Sequence, residues 1–277
     1  MKKNLTIIDL DSIIYDVAGN IKFKDAIKNL ENIIDIQEKT KTYVNDILLK
    51  TEADCYLGYY QVIGHTNYRK IVNPLYKANR SEAPEFIKMW RKTIQDTFDT
   101  FEGVIPVNII ESDDAVSIAY YKFKDEYNIT IARVDKDLGC LPGKHYNFRK
   151  KLPSIVTPED ALIFEKSQVL SGDAGDGVPG IFNIGFVKAV KFLVRNNMKL
   201  VAAFKDAYYT QKADPKIAHR FDEAVSWRRL FYITYHSTRL LHYVEDLEYY
   251  TDIKESNLFK IYSFDSKKVN LNDLTDW

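Results

Sequence analysis

At 277 residues, 45% apolar and 28% charged, the chain has the size and composition of a soluble globular protein with a sizeable core, in one large domain or two small ones. Its 39 basic and 39 acidic residues cancel, which argues against coating nucleic acid by bulk charge but allows an acidic pocket flanked by basic patches. Two cysteines, Cys55 and Cys140, suggest neither a disulfide framework nor a thiolate metal site.

No apolar run reaches membrane-spanning length. The short run Leu5–Ile8 after two lysines is too brief for a signal peptide. A cytoplasmic protein with no membrane partner is expected.

Residues 4–11 predict a first strand that ends in Asp9-Leu10-Asp11. Over residues 24–50, Ile27, Leu30, Ile33, Ile34, Val44, Ile47 and Leu48 recur at helical spacing and predict one or two helices. Residues 54–63, aromatic and β-branched, predict a second strand. Strand, helix, strand opens an α/β fold with parallel strands.

Residues 65–80 carry Arg69, Lys70, Lys77 and Arg80 with no acid, and Tyr68 and Tyr76 lie between them. Cations for phosphates and rings for bases suit a nucleic-acid strand; a solvated loop is the plainer reading. Residues 81–101 predict a helix capped by Ser81. Residues 104–110 predict a strand that ends abruptly in Glu111, Asp113 and Asp114. An amphipathic helix over 115–127 follows, with Ser112 as its N-cap. Acidic residues suit a first helical turn, so these carboxylates either decorate a helix start or hold a divalent cation.

Residues 127–134 predict another strand, ending in Asp135-Lys136-Asp137, whose aspartates point to one side if extended. Residues 138–146, with Gly139, Pro142 and Gly143, read as turns. Lys144, Arg149, Lys150 and Lys151, with Tyr146 and Phe148, repeat the basic-aromatic pattern.

Thr157 opens a helix that runs to about residue 170. Five of the eleven glycines then fall between Gly172 and Gly185, and a helix with Lys188, Lys191 and Arg195 follows. A Gly-rich hairpin next to a helix N-terminus can bind a phosphate; tight turning is the plainer use. Asp173 and Asp176 have no need to be acidic for a turn. Residues 199–277 read as mostly helical, with Trp227, Phe231, Leu240 and Leu241 as core candidates and a polar tail. His65, His145, His219, His236 and His242 show no metal-ligand spacing and read as surface or satisfied core histidines.

Asp9, Asp11, Glu111, Asp113, Asp114, Asp135 and Asp137 thus follow the ends of three apolar runs. In an open α/β sheet such ends face one crevice. So many carboxylates cannot all ionise in one pocket without countercharge. All-oxygen ligation selects Mg²⁺ or Mn²⁺, and two such ions about 4 Å apart suit phosphodiester hydrolysis.

The ordered set Asp9, Glu111-Ser-Asp-Asp114, Asp135-Lys-Asp137 and Gly172-Asp-Ala-Gly-Asp-Gly-Val-Pro-Gly-Ile-Phe-Asn-Ile-Gly185 resembles the 5′ nucleases: flap endonucleases, the 5′-nuclease domains of bacterial DNA polymerases, and phage 5′→3′ exonucleases. The resemblance runs from residue 5 to about 195 and is closest in look to the phage members, which implies a host cytoplasm.

It implies a PIN-like α/β fold, with a central mostly parallel sheet flanked by helices and a C-terminal helical region. Residues 1–156 would form the catalytic domain, with an arch around 65–100. Residues 157–277 would bind DNA, with a helix–three-turn–helix at about 159–196.

The implied activity is metal-dependent 5′→3′ exonuclease or flap-endonuclease cleavage of DNA, and of RNA primers in RNA–DNA hybrids, by two ions in replication or repair. The implied state is a monomer. Asp9, Glu111, Asp113 and Asp114 would hold the first ion, with Asp11 beside them; Asp135, Asp137, Asp173 and Asp176 would surround the second. Lys77 and Arg80 would contact the scissile phosphate and Tyr76 would stack on a base. Arg69, Lys70, Lys144, Gly180, Gly185 and Lys188 would serve DNA binding, and the hairpin is a candidate potassium site.

Three positions depart from the family pattern: Val62 where many relatives carry an aspartate, Gly177 in place of asparagine, and Phe182-Asn183 in place of Pro-Gly. Two alternatives stand beside the nuclease. One is a structure-specific DNA-binding protein of the same fold with weak or lost cleavage. The other is a PIN-like ribonuclease, against which the Gly-rich hairpin argues.

Overall fold

A computed structural model describes residues 2–64, 66–222, 224–243, 246, 258–259 and 261–268. His65 and most of the expected C-terminal tail lie outside the described residues. The strands are β1 (Asn4–Asp9), β2 (Cys55–Gln61), β3 (Val104–Val107), β4 (Asn128–Ala132), β5 (Gly143–Asn147), β6 (Leu152–Val156) and β7 (Tyr262–Ser263). The helices are α1 (Asp11–Ala18), α2 (Ile21–Lys24), α3 (Leu30–Lys50), α4 (Arg69–Val72), α5 (Glu85–Phe98), α6 (Ser112–Phe123), α7 (Pro158–Ser171), α8 (Phe186–Arg195), α9 (Leu200–Lys212) and α10 (Trp227–Thr238).

The chain forms two compact units. The first comprises residues 1–67, 82–156 and 241–277 and holds one sheet in the order β3-β2-β1-β4-β5-β6. β3, β2, β1, β4 and β5 run parallel; β6 pairs antiparallel with β5, and β7 antiparallel with the start of β2. Leu5, Ile7 and Ile8 of β1 have no exposed surface, as a parallel strand covered on both faces requires. The chain builds outward from β1 to β2 and β3, then returns to place β4 on β1's other side. The carboxyl ends of β1, β3 and β4 therefore share one sheet edge, where the strand order reverses.

Helices flank this sheet. Phe23, Ile36, Val44, Trp90, Ile94 and Phe98 pack in one core with Ile8 and Tyr60, and the Trp90 indole donates to the Phe23 carbonyl (3.0 Å). α6 packs against β1, β2 and β4.

Several local expectations need correction. α1 begins directly after β1, because Ile13, Ile14 and Val17 form a buried stripe. Ser81 caps nothing: α5 starts at Glu85 behind Pro84. The turns expected over 138–146 instead lead into the β5–β6 hairpin, which Gly143 enters at a φ of 121°. Tyr146 and Phe148 are buried in the first unit's core rather than lining a groove.

The second unit, Tyr68–Ser81 with Thr157–Leu240, packs α7, α8, α9 and α10 around Val169, Leu170, Ile184, Leu193 and Phe204. This division differs from the expected one in two places. Tyr68–Ser81 belongs with the helical unit, and the described residues from Leu241 onward belong with the sheet. Among the described residues, no helix is long and apolar enough to cross a membrane.

Candidate metal centre

Asp9 is the last residue of β1 and is buried. Ser112, first residue of α6, sets its hydroxyl 2.8 Å from Asp9 Oδ1 and 3.0 Å from Asp11 Oδ2. Ser112 is therefore not the helix cap; Glu111 holds that position. One hydroxyl proton cannot serve two ionised carboxylates fully. Burial, reinforced by the Asp11 and Asp135 charges, pushes Asp9 up to about 7 against the pull of Ser112. Burial also raises Asp11, despite the Gln61 N–H and the nearby Arg91.

Glu111, Asp113 and Asp114 each offer a carboxylate oxygen within 4.8 Å of the others. Asp114 is fully buried. It accepts the Glu111 N–H on Oδ2 (3.3 Å) and the Leu241 N–H on Oδ1 (3.1 Å), so it braces the helix start. Asp135 is exposed and its Oδ1 accepts the Asp137 N–H (2.8 Å). Asp137 opens a 3₁₀ turn, so this pair is not extended as expected.

Oxygen-only donors, one of them pushed up to about 7 by burial and by neighbouring carboxylate charge, fit a divalent cation. Val62 supplies no carboxylate. It packs into the core, its N–H donating to the Val107 carbonyl (3.0 Å). One residue earlier, the Gln61 N–H donates to Asp11 Oδ1 (3.0 Å), so Asp11 brings a carboxylate to that strand end. The parallel register of β1 and β2 creates this proximity, which sequence spacing does not reveal. Arg91, 3.9 Å from Asp11, also went unmarked in the sequence.

In the second unit, Asp176 is buried and pairs with Arg80 and with Lys77 (3.8 Å). The Tyr76 hydroxyl lies 3.2 Å from it. Asp173 Oδ1 accepts the Gly175 N–H (2.9 Å). Tyr76 is buried and presents no open ring for stacking. Arg69 is also buried; it donates to the carbonyls of Ser237 (3.1 Å) and Arg239 (3.3 Å), which commits it to the fold. Lys70, Lys144 and Lys188 are exposed.

Gly180 (φ 58°) is packed so tightly that a Cβ would meet the Ser171 carbonyl at 2.2 Å. Gly185 caps α8. Asn183 takes the left-handed backbone (φ 61°), a conformation asparagine tolerates.

Gly177 has a φ of 69°, and a Cβ there would lie 2.6 Å from the Leu75 carbonyl. The Lys77 N–H donates to the Asp176 carbonyl (2.8 Å) and the Asn79 amide to the Ala174 carbonyl (2.7 Å). Gly177→Asn is expected to loosen residues 68–81 and speed tryptic cleavage after Lys77 and Arg80. Digestion rates equal to wild type would contradict this.

No protein-family model matches the chain. A 5′-3′ exonuclease of Buchnera aphidicola is 35% identical over 135 residues, covering 43% of this chain and 45% of that one. A flap endonuclease Xni of Shewanella baltica is 28% identical over 141 residues, covering 47% and 54%. The T5 D15 protein, co-crystallised with metal ions, superposes with a TM-score of 0.63 at 14% identity, covering 85% of this chain and 90% of that one. The chain is related to the 5′ nucleases.

The sequence matches span about half the length of those curated 5′ nucleases. A Rad2 catalytic core in complex with DNA substrate also shares the fold, with a TM-score of 0.51 at 15% identity over 87% of this chain and 80% of that one. The mostly parallel sheet and flanking helices are those of the T5 5′-nuclease fold.

Proposed function

We propose that this chain is a metal-dependent 5′ nuclease. It hydrolyses phosphodiesters near the 5′ ends of DNA, at flaps and nicks, and of RNA primers in RNA–DNA hybrids, in replication or repair. The observation that carries the reading is the sharing of one sheet edge by the strands that lead to Asp9, Glu111 with Asp113, and Asp135 with Asp137. The Asp135 charge adds to the upward push on Asp9, and Glu111 to that on Asp11. The likeness to a T5 protein crystallised with metal ions and to a Rad2 core bound to DNA supports it.

Asp9, Glu111 and Asp113 hold the first ion, with Asp11 supplying the carboxylate that Val62 lacks and Asp114 bracing the group. Asp135 and Asp137 bind the second. Two bound Mg²⁺ or Mn²⁺ ions would supply activation of water and charge neutralisation at the attacking and leaving oxygens. Ser112 keeps the Asp9 and Asp11 carboxylates aimed together. Lys77 and Arg80 hold the scissile phosphate, while Lys188 and the α8 N-terminus serve duplex phosphates. Arg80→Ala is expected to slow cleavage about 100-fold, read in single-turnover assays; an unchanged rate would remove Arg80 from the machinery.

The test is a 5′-labelled flap and nicked duplex incubated with Mn²⁺. Short 5′-labelled products are expected. If wild type yields none above an Asp135→Asn control, the nuclease reading is lost. Retained duplex binding without cleavage would favour a DNA-binding protein of this fold, and preference for single-stranded RNA would favour a ribonuclease.

A further inference from the structure

His145 is 2% exposed and has no place in the chemistry above. It sits on β5 opposite Ile131 of β4. Its Nδ1 lies 2.7 Å from Arg133 Nε, and its Nε2 lies 2.8 Å from the Leu141 carbonyl. A guanidinium can only donate. Nδ1 is therefore the acceptor, and Nε2 carries the proton and donates to Leu141. The imidazole is neutral with its tautomer fixed by both neighbours. Burial and the Arg133 charge depress its pKa to about 4, so this arrangement holds across the working pH range.

Arg133 stands just beyond β4, where its own N–H donates to the Tyr146 carbonyl (2.9 Å). Its Nη1 donates to the backbone carbonyl of Asp135. Asp135 Oδ1 in turn receives the Asp137 N–H. The run is continuous from the Leu141 carbonyl through His145 and Arg133 to the loop that carries both aspartates. A planar guanidinium reaches two partners in fixed directions, which a lysine ammonium cannot reproduce.

We infer that His145 is a positioning residue for the metal centre: it orients Arg133, which pins the Asp135–Asp137 loop from behind. The inference rests on the nuclease reading, in which Asp135 and Asp137 bind a divalent ion. Outer groups that orient metal ligands affect affinity without touching the ion. A histidine retained only for packing would tolerate any side chain of matching shape.

The test measures Mn²⁺ affinity by calorimetry on the full chain, with the melting temperature of each metal-free variant recorded alongside. His145→Phe keeps the ring but loses the acceptor, and is expected to weaken binding at the site removed by Asp135→Asn by about 10–100-fold. His145→Asn, whose Oδ1 can replace Nδ1 as acceptor, is expected to stay within about threefold of wild type. Arg133→Lys should behave like His145→Phe.

Wild-type affinity in His145→Phe, or an Asn variant as impaired as the Phe variant, would overturn the inference. If His145→Phe does not fold, Arg133→Lys decides: unchanged affinity overturns the role and a loss supports it. If wild type itself binds no Mn²⁺, the nuclease reading fails and this inference falls with it. If wild type binds and cleaves while the variants match it, only the inference fails.

Discussion

Replacing Asp9 with asparagine is expected to lower metal-dependent cleavage by more than about 100-fold, since even groups one shell removed from a metal cost 10–100-fold. The same change is expected to raise the stability of the metal-free protein at pH 8. Both effects have one cause. Asp9 is buried beside Asp11 and within reach of the Asp135 charge, and it shares a serine hydroxyl with Asp11. Its ionised form is therefore unfavourable until a cation arrives. Asparagine removes that cost and removes the ligand with it. A structural aspartate behaves oppositely, because its loss weakens the fold. Urea unfolding without metal and single-turnover cleavage with Mn²⁺ separate the two. An Asp9→Asn protein that is less stable and fully active would make Asp9 structural.

Metal affinity is expected to fall about tenfold per pH unit below 7 and to level off above it, so roughly 100-fold separates pH 8 from pH 5. Asp9 holds a proton up to about 7 in the metal-free protein, and a cation must displace it. Folding stability without metal runs the other way. The folded-state pKa lies above the ordinary 3.8, so between about pH 4 and 7 the folded chain keeps a proton that the unfolded chain has released. Stability is greatest below that window and declines as pH rises through it. Calorimetric Mn²⁺ titrations at several pH values, beside urea unfolding at the same values, read both trends. A Mn²⁺ affinity that is flat from pH 5 to 8 would contradict the protonated Asp9.

Much of the sheet was legible because its central strands are buried on both faces. Leu5, Ile7 and Ile8 in β1 and Tyr56, Leu57, Tyr59 and Tyr60 in β2 read as apolar and aromatic runs whatever packs on them. The acids that end such runs marked the crevice for the same reason.

The β5–β6 hairpin was not legible. Gly139, Pro142 and Gly143 signal breaks, and nothing local distinguishes a buried Phe148 from an exposed one. Its burial depends on Tyr43 of α3, whose ring meets it edge-on at 5.8 Å. Ser112 has the right chemistry for a cap, but its hydroxyl turns to Asp9, 103 residues away. Arg69 read as a phosphate ligand because its carbonyl partners, Ser237 and Arg239, come from the far end of the chain. In each case residue type was informative locally, and the partner was set by tertiary packing.

Anomalous diffraction from crystals soaked in Mn²⁺ tests the metal centre most directly. A peak is expected about 2.1 Å from carboxylate oxygens of Asp9, Glu111 and Asp113, with a second against Asp135 and Asp137. Fully occupied Mn²⁺ at other carboxylates, with Asp9 still held by Ser112 and the Asp11 N–H, would contradict a metal-dependent nuclease built on these strand ends.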